Sequence, residues 1–220
     1  MALSRELPRP FPDWVYRSLR AIAHVINRSY WRVTVQGPPV PASGAVVLAP
    51  VHRSFIDFFV VSEVTRRKLF YMTKEEMWSS HLLGRFLDST GAIPVHREGA
   101  DRQSVARSQA VLDQGQVLVL FPEGTRRSGD SVVDLHEGAA FLATRTGAPI
   151  VPVGIAGTSE SQPLGTKLPR PVKVRIVLGE PLMPPARTEG GRTPRRVIRE
   201  LNEQLRSELQ RVYDQARSSL

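Results

Sequence analysis

Residues 45–57 read AVVLAPVHRSFID: a short apolar run rich in β-branched side chains, followed at once by a polar stretch that contains a histidine. Apolar runs of the same kind recur along the chain as KLFYMT, GAIPV, QVLVLFP, PIVPVGIAG and VKVRIVLGE. Helix-like segments lie between several of them, near residues 55–66, 75–88, 101–114 and 136–147. This alternation predicts an α/β fold: a mixed, largely parallel sheet flanked by helices over roughly 170 residues.

Three polar stretches directly follow predicted strands. HRSFID follows VVLAPV, HREGAD follows GAIPV, and EGTRRSGD follows VLVLFP. In α/β sheets ligands bind beyond the carboxyl ends of the strands, so all three stretches lie where a site is expected.

The composition limits the class of protein. The chain has 220 residues and 41% hydrophobic content, enough for one domain with a small appendage. It contains no cysteine, which excludes disulfides, cysteine nucleophiles and thiolate metal sites. A net charge of +9 favours anionic partners: nucleic acid, an anionic membrane surface or phosphorylated substrates. No signal-peptide core or apolar run of ~18 residues is found, so we expect a protein neither secreted by a standard signal nor integral to a membrane.

Amphipathic helices are predicted near both ends of the chain. Apolar residues recur at helical spacing from Phe11 to Tyr30, with Trp14 and Trp31 beside them and basic residues mostly off the stripe. Such a helix suits a membrane interface, but most apolar faces dock on their own core, and periodicity alone favours docking. A second amphipathic pattern follows Thr193. We therefore expect an N-terminal helical segment, residues 1–32, and an α/β domain, residues 33–220, that includes the C-terminal helix.

Two histidine–aspartate pairs have the same spacing, His52 with Asp57 and His96 with Asp101. Both aspartates have structural alternatives: Ser54 and Asp57 fit a helix cap, and Asp101 is a natural N-cap for the helix after it. Asp57, however, lies in an apolar run where a carboxylate is costly to bury without a partner, and an imidazole N–H is a suitable one. The context therefore favours His52–Asp57 as a general base and its orienting group.

The third stretch, VLVLFPEGTRRSGD, turns from a strand through a glycine into Arg126 and Arg127. Backbone N–H groups and guanidinium forks of this kind make a phosphate receptor, although surface arginines at a strand end are an equally good interpretation. The chain has no serine-esterase elbow, P-loop, dinucleotide fingerprint or zincin motif.

The stretches HRSFID, GAIPVHR, FPEGTRRS and IVPVGIAG, in that order, resemble the four motif blocks of the glycerolipid acyltransferase family, whose best-known members are the 1-acyl-glycerol-3-phosphate acyltransferases. The match covers roughly residues 45–180. The resemblance implies transfer of a fatty acyl chain from acyl-CoA or acyl carrier protein to the hydroxyl of a glycerophosphate. It implies His52 as catalytic base and Asp57 as its orienting residue. Matching substrate-binding residues are Lys74, Arg97, Glu123, Gly124, Thr125 and Arg126, and Pro152 matches the donor-side block.

Two departures bear on the acceptor. Val51 stands where many lysophosphatidic acid acyltransferases have asparagine, and HRS resembles the first block of glycerol-3-phosphate acyltransferases. Lysophosphatidic acid is the expected acceptor, with glycerol-3-phosphate or another glycerolipid or glycolipid as the alternative. The expected reaction is direct transfer: His52 takes the hydroxyl proton, and backbone N–H groups near Ser54 stabilise the oxyanion. It requires no metal or other cofactor.

The resemblance also sets the expected partners. They are a lysophospholipid acceptor, acyl-CoA or acyl carrier protein, and an anionic membrane surface on the cytoplasmic face, which the N-terminal helix would contact. The basic residues are scattered and no RNA- or DNA-binding motif is present, so a nucleic-acid-binding module is the weaker interpretation. A catalytically silent membrane protein with this fold is also weaker, because His52, Asp57, Glu123 and Arg126 are all intact.

Overall fold

The computed structural model describes residues 13–74, 92–95, 102–166, 168–185 and 193–220, with only the backbone at Asp13, Lys74 and Val95. Its helices are α1 (Asp13–Ser29), α2 (Asp57–Val60), α3 (Arg102–Asp113), α4 (Gly138–Thr146), α5 (Thr158–Ser161) and α6 (Arg195–Ser218). A 3₁₀ turn (Val61–Val64) continues α2. Its strands are β1 (Thr34–Gln36), β2 (Val46–Pro50), β3 (Leu69–Lys74), β4 (Ile93–Val95), β5 (Val117–Val119), β6 (Ile150–Ala156) and β7 (Arg175–Leu178).

The strands form one sheet in the order β1-β7-β6-β2-β5-β3-β4. All neighbouring strands run parallel except β6 and β7, which are antiparallel. The mixed, largely parallel sheet predicted from the sequence is thereby confirmed. The predicted strands and most predicted helices are found within a few residues of their expected bounds, and the predicted helix near 75–88 lies outside the described residues.

The core has one apolar layer on each face of the sheet. Side chains alternate along β2, so that Val46 and Leu48 join one layer while Val47 and Ala49 join the other. Strands buried on both faces read as continuous apolar runs, which explains the VVLAP and VLVLF patterns.

The C-terminal helix α6 packs tightly on β6. Its apolar residues Ile198, Leu201 and Leu205 enter one core layer, and Leu209, Val212 and Tyr213 enter the other. Gly154 of β6 lets the helix backbone approach closely, because a Cβ at that position would overlap the Val212 carbonyl. This close packing fixes α6 against the middle of the sheet.

The N-terminal helix α1 is docked through its polar side, which differs from the docking expected from its periodicity. Asn27 is buried, and its amide nitrogen donates to Glu63 Oε1 (2.9 Å) and to the Phe59 carbonyl (3.2 Å). Arg20 Nη2 donates to the Thr65 carbonyl at 2.6 Å. The apolar side of α1 is left exposed, with Trp14 70%, Val25 63% and Ile22 58% accessible. No helix in the described part of the chain has the length and apolar content to cross a bilayer.

Candidate active site

The parallel pairing of β2 and β5 brings two of the three polar stretches to one edge of the sheet. Val46 lies opposite Val117, and Leu48 lies opposite Val119. The chain therefore leaves both strands at the same end, and the loop after β2 meets the turn after β5 although they are about 70 residues apart in sequence. This is the edge where α/β sheets place their ligands.

His52 and Asp57 form the expected pair. The Nδ1 atom of His52 lies 3.0 Å from Oδ2 of Asp57, which is completely buried. The same oxygen accepts the backbone N–H groups of Arg53 (2.7 Å) and Ser54 (2.8 Å). Because Nδ1 faces the carboxylate, Nε2 is the ring nitrogen that remains for a substrate, and the imidazole keeps about a tenth of its surface accessible. This is the geometry of a general base held by an orienting carboxylate.

The structure places Ser54 differently from the helix-cap alternative, and it engages two of the backbone N–H groups near this residue. Its hydroxyl does not cap α2: it donates to the Gln162 carbonyl at 3.2 Å, and Ile56 takes the N-cap position. The backbone N–H groups of Arg53 and Ser54 are also not free for an oxyanion, because both point at the Asp57 carboxylate. Their contribution is to bind Asp57 in place, which holds the imidazole indirectly.

Aromatic rings surround the imidazole. The Phe121 ring lies 4.2 Å from it, centroid to centroid, and the Phe58 ring contacts it edge-on at 5.4 Å. Phe55 and Phe59 continue this cluster outward, and both are exposed. An apolar surface therefore leads from the outside of the protein to the histidine.

Glu123 has a different position from the one expected of a substrate ligand. It is completely buried, and both of its oxygens lie 2.7 Å from Nη1 of Arg53. Its Oε2 also accepts the backbone N–H of His52 at 2.8 Å. Burial disfavours the charged guanidinium, but the Glu123 carboxylate outweighs this effect and holds the pKa of Arg53 above its ordinary value. Glu123 has no accessible surface to offer an acceptor.

The turn after Glu123 presents the arginines. Gly124 has a φ of 66°, in the left-handed region, and the ring of His136 lies directly against it, where a Cβ would be. Thr125 is half-buried, while Arg126 and Arg127 are exposed. The described residues provide no ion pair for either guanidinium, so the turn carries two cations toward solvent at the edge where His52 lies.

The remaining expected site residues are placed less closely. Lys74 ends β3, and its side chain lies outside the described residues, as do Arg97, His96 and Asp101. Pro152 is buried within β6 opposite Ala49 of β2. Its side chain is not exposed, so it can affect a bound acyl donor only by shaping the backbone of β6. No cluster of three or more His, Asp or Glu side chains suited to a metal ion occurs among residues the structure describes.

A family model for acyltransferases matches residues 32–156 of the chain, which include the β2 and β5 loops. The chain belongs to the acyltransferase family. It is 32% identical over 144 residues to a 1-acyl-sn-glycerol-3-phosphate acyltransferase of Bacillus subtilis, covering 65% of this chain and 69% of that protein. It is 25% identical over 158 residues to a chloroplastic enzyme of the same name from Brassica napus, covering 70% of this chain and 46% of the relative.

The fold recurs in a solved acyltransferase structure. The 1-acyl-sn-glycerophosphate acyltransferase PlsC of Thermotoga maritima superposes with a TM-score of 0.67 at 21% identity, covering 91% of this chain and 82% of that one. At this identity the likeness establishes the fold. The sheet order, the flanking helices and the N-terminal helix described above are thus those of an acyltransferase fold.

Sequence reasoning missed Arg53 and His136. Arg53 reads as one more basic residue in a basic chain, and only its position between Asp57 and a buried glutamate shows that it is an interior cation. His136 has no motif spacing, and its contact with Gly124 depends on how the loop between the β5 turn and α4 folds back onto the turn. Neither residue carries a local signal, because both contacts are made across long sequence separations.

The hydrogen bonds to Asp57 predict how its substitutions affect stability. Asp57→Ala should lower the free energy of unfolding by roughly 2–5 kcal/mol, because two buried N–H groups lose their acceptor. Asp57→Asn should cost clearly less, since the amide oxygen can still accept them. Urea unfolding at pH 7 measures both, with the exposed Asp113→Ala as a control expected to stay within about 0.5 kcal/mol. An Asp57→Ala protein as stable as the control would contradict the hydrogen-bond assignment.

Proposed function

We propose that the protein transfers a fatty acyl chain from acyl-CoA or acyl carrier protein to the free hydroxyl of lysophosphatidic acid, which forms phosphatidic acid in phospholipid synthesis. The observation that carries the proposal is the His52–Asp57 pair at the same sheet edge as the Arg126–Arg127 turn. A base and a phosphate receptor side by side suit an acceptor that carries both a hydroxyl and a phosphate.

The reaction is a direct transfer. Neutral His52 takes the acceptor's hydroxyl proton at Nε2 as the oxygen attacks the thioester carbonyl, and Asp57 stabilises the imidazolium that forms. The tetrahedral intermediate then collapses: the carbon–sulfur bond breaks, and the proton on His52 passes to the departing thiolate. The products are an ester and a free thiol, and no covalent acyl-enzyme is needed.

Acceptor binding falls to the exposed cations. Guanidinium groups bind phosphate through paired N–H donors, and Arg126 is exposed with no ion pair among the described residues. Gly124 and Thr125 set the direction of the turn, and we include Lys74 and Arg97 as further phosphate ligands on the strength of their motif positions. The B. subtilis and B. napus relatives are named for the same acceptor, which supports lysophosphatidic acid over other acceptors.

If the acceptor is a lipid, the exposed apolar face of α1 can bind the membrane in which that lipid lies. The face is apolar, with Trp14 at its edge, and Arg17 and Arg28 are exposed beside it. The site is near this helix: Asn27 of α1 donates to the Phe59 carbonyl, and the exposed Phe59 ring is connected through the Phe55 ring to Phe58, which contacts His52. We propose that α1 lies in the surface of an anionic bilayer on its cytoplasmic face, as a peripheral anchor beside the site.

The acceptor is identified by its product. Purified protein is incubated with one acyl donor at a time and an equimolar panel of lysophosphatidic acid, glycerol-3-phosphate and a neutral lysophospholipid, and the products are measured by mass spectrometry. We expect phosphatidic acid as the main product. Transfer mainly to glycerol-3-phosphate would identify that compound as the acceptor, in line with the HRS block. If none of the three compounds is acylated, the proposed function is contradicted.

Membrane binding is tested on the exposed side of α1. Each of Ile22→Ser and Val25→Ser should weaken binding to vesicles with anionic lipid by about tenfold or more, since burying such a side chain is worth roughly 1.5–3 kcal/mol. Met183→Ser, an equally exposed apolar residue elsewhere, is the control and should bind like the wild type. Vesicle co-sedimentation at low and high salt measures the effect. Unchanged vesicle binding in both α1 variants would contradict the proposal that α1 contacts the membrane.

A further inference from the structure

The residue after the proposed catalytic histidine is an interior cation held by Glu123, Ser131 and Tyr213. Arg53 is 2% exposed. Its Nη1 donates to both oxygens of Glu123, its Nη2 donates to the Ser131 carbonyl at 3.1 Å, and its guanidinium lies 4.8 Å from the centre of the Tyr213 ring. One side chain thus joins the β2 loop, the β5 turn, the segment that follows the turn, and α6.

The peptide groups of His52 are held from both sides by the β5 turn. Glu123 Oε2 accepts the His52 N–H at 2.8 Å, and the Arg127 N–H donates to the His52 carbonyl at 2.9 Å. Arg53 Nη1 approaches the same carbonyl at 3.3 Å. The backbone of the base is therefore fixed to the turn that presents Arg126 and Arg127.

The segment beyond the turn is fixed in the same way. Gln210 of α6 accepts the Val132 N–H at 2.7 Å and donates to the Asp130 carbonyl at 3.1 Å. Ser131, whose carbonyl binds Arg53, lies between these two residues. Arg53 consequently connects a catalytic loop to a segment that a long, well-packed helix holds still.

Stability alone does not account for this arrangement. Both Arg53 and Glu123 are removed from water, and burying an ion pair costs about as much as its attraction returns; well-packed apolar residues are often as stable or more so. The geometric consequence is larger, because a displacement of ~1 Å between a base and its substrate can cost about 10²-fold in rate.

We propose that Arg53 is a positioning residue of the acyl transfer, which with Glu123 sets the distance between His52 and the phosphate-binding turn. Neither side chain touches the substrate: Arg53 acts through Glu123 and the peptide of His52. The inference rests on the proposed function for its kinetic readout. In this proposal Glu123 positions His52 and does not bind the acceptor.

The main test replaces the pair by apolar residues of similar size, Arg53→Met with Glu123→Met. We expect a folded protein whose kcat is about 30–100-fold lower while KM for the acceptor changes less than ~3-fold. The matched control is Arg211→Met with Glu208→Met, an exposed pair on α6, which should keep both constants. A folded double variant with wild-type kcat would show that the Arg53–Glu123 pair stabilises the fold and does not position His52 for catalysis. A tenfold rise in KM with unchanged kcat would make Glu123 an acceptor ligand, and either result overturns the proposal.

A second variant covers the case in which the double substitution does not fold. Arg53→Lys keeps the charge and can pair with Glu123, but an ammonium cannot serve both oxygens of Glu123 and the Ser131 carbonyl in one plane. We expect kcat to fall about tenfold, with the thermal midpoint nearly unchanged. Full activity in Arg53→Lys would contradict the proposal.

A measurement that needs no enzymatic turnover tests the position of His52 independently of the proposed function. The side-chain NMR signal of His52, assigned by its loss in His52→Ala, should change its chemical shift in Arg53→Lys at fixed pH, because the imidazole moves against Asp57 and against the Phe121 ring 4.2 Å away. The control pair on α6 should leave it unchanged. If the wild type transfers no acyl group, the proposed function fails while this signal still reports the position of His52; an unchanged chemical shift would overturn the inference itself.

Discussion

The parallel pairing of β2 with β5 is the constraint on which the rest of the site depends. It brings two loops that are distant in sequence to one edge of the sheet, so that the backbone of His52 hydrogen-bonds directly to the turn after Glu123. The core layers above and below the sheet hold this pairing, and α6 holds the segment beyond the turn. The proposed catalytic base and the proposed acceptor-binding cations thus share one scaffold.

Two fully buried carboxylates organise this edge, and each does so through backbone N–H groups as well as a side chain. Asp57 binds the N–H groups of Arg53 and Ser54 and the ring of His52. Glu123 binds the N–H of His52 and the guanidinium of Arg53. The first carboxylate orients the imidazole and the second places its backbone. Burying a carboxylate without such donors is costly. The hydrogen bonds that hold His52 in position are therefore the same ones that make the burial of Asp57 and Glu123 possible.

The sequence predicted the features that have a local signature. Runs such as VVLAP and VLVLF identified buried strands, and the apolar neighbours of Asp57 singled out His52 over His96 as the pair to consider. β1 was missed because its three residues carry little apolar signal. Periodicity could not show which side of α1 docks, and the hydroxyl of Ser54 does not take the helix-cap role, since each depends on partners far along the chain: Glu63 for α1, and Gln162 for Ser54. Arg53 could not be told from a surface arginine for the same reason.

The central claim is that His52 is the base of an acyl transfer, and the turnover number of purified His52→Ala tests it most directly. The account predicts a fall of at least ~10²-fold against the wild type in a protein that still folds, while His96→Ala, the histidine of the similar HREGAD stretch, stays active. Turnover in His52→Ala equal to that of the wild type would contradict it.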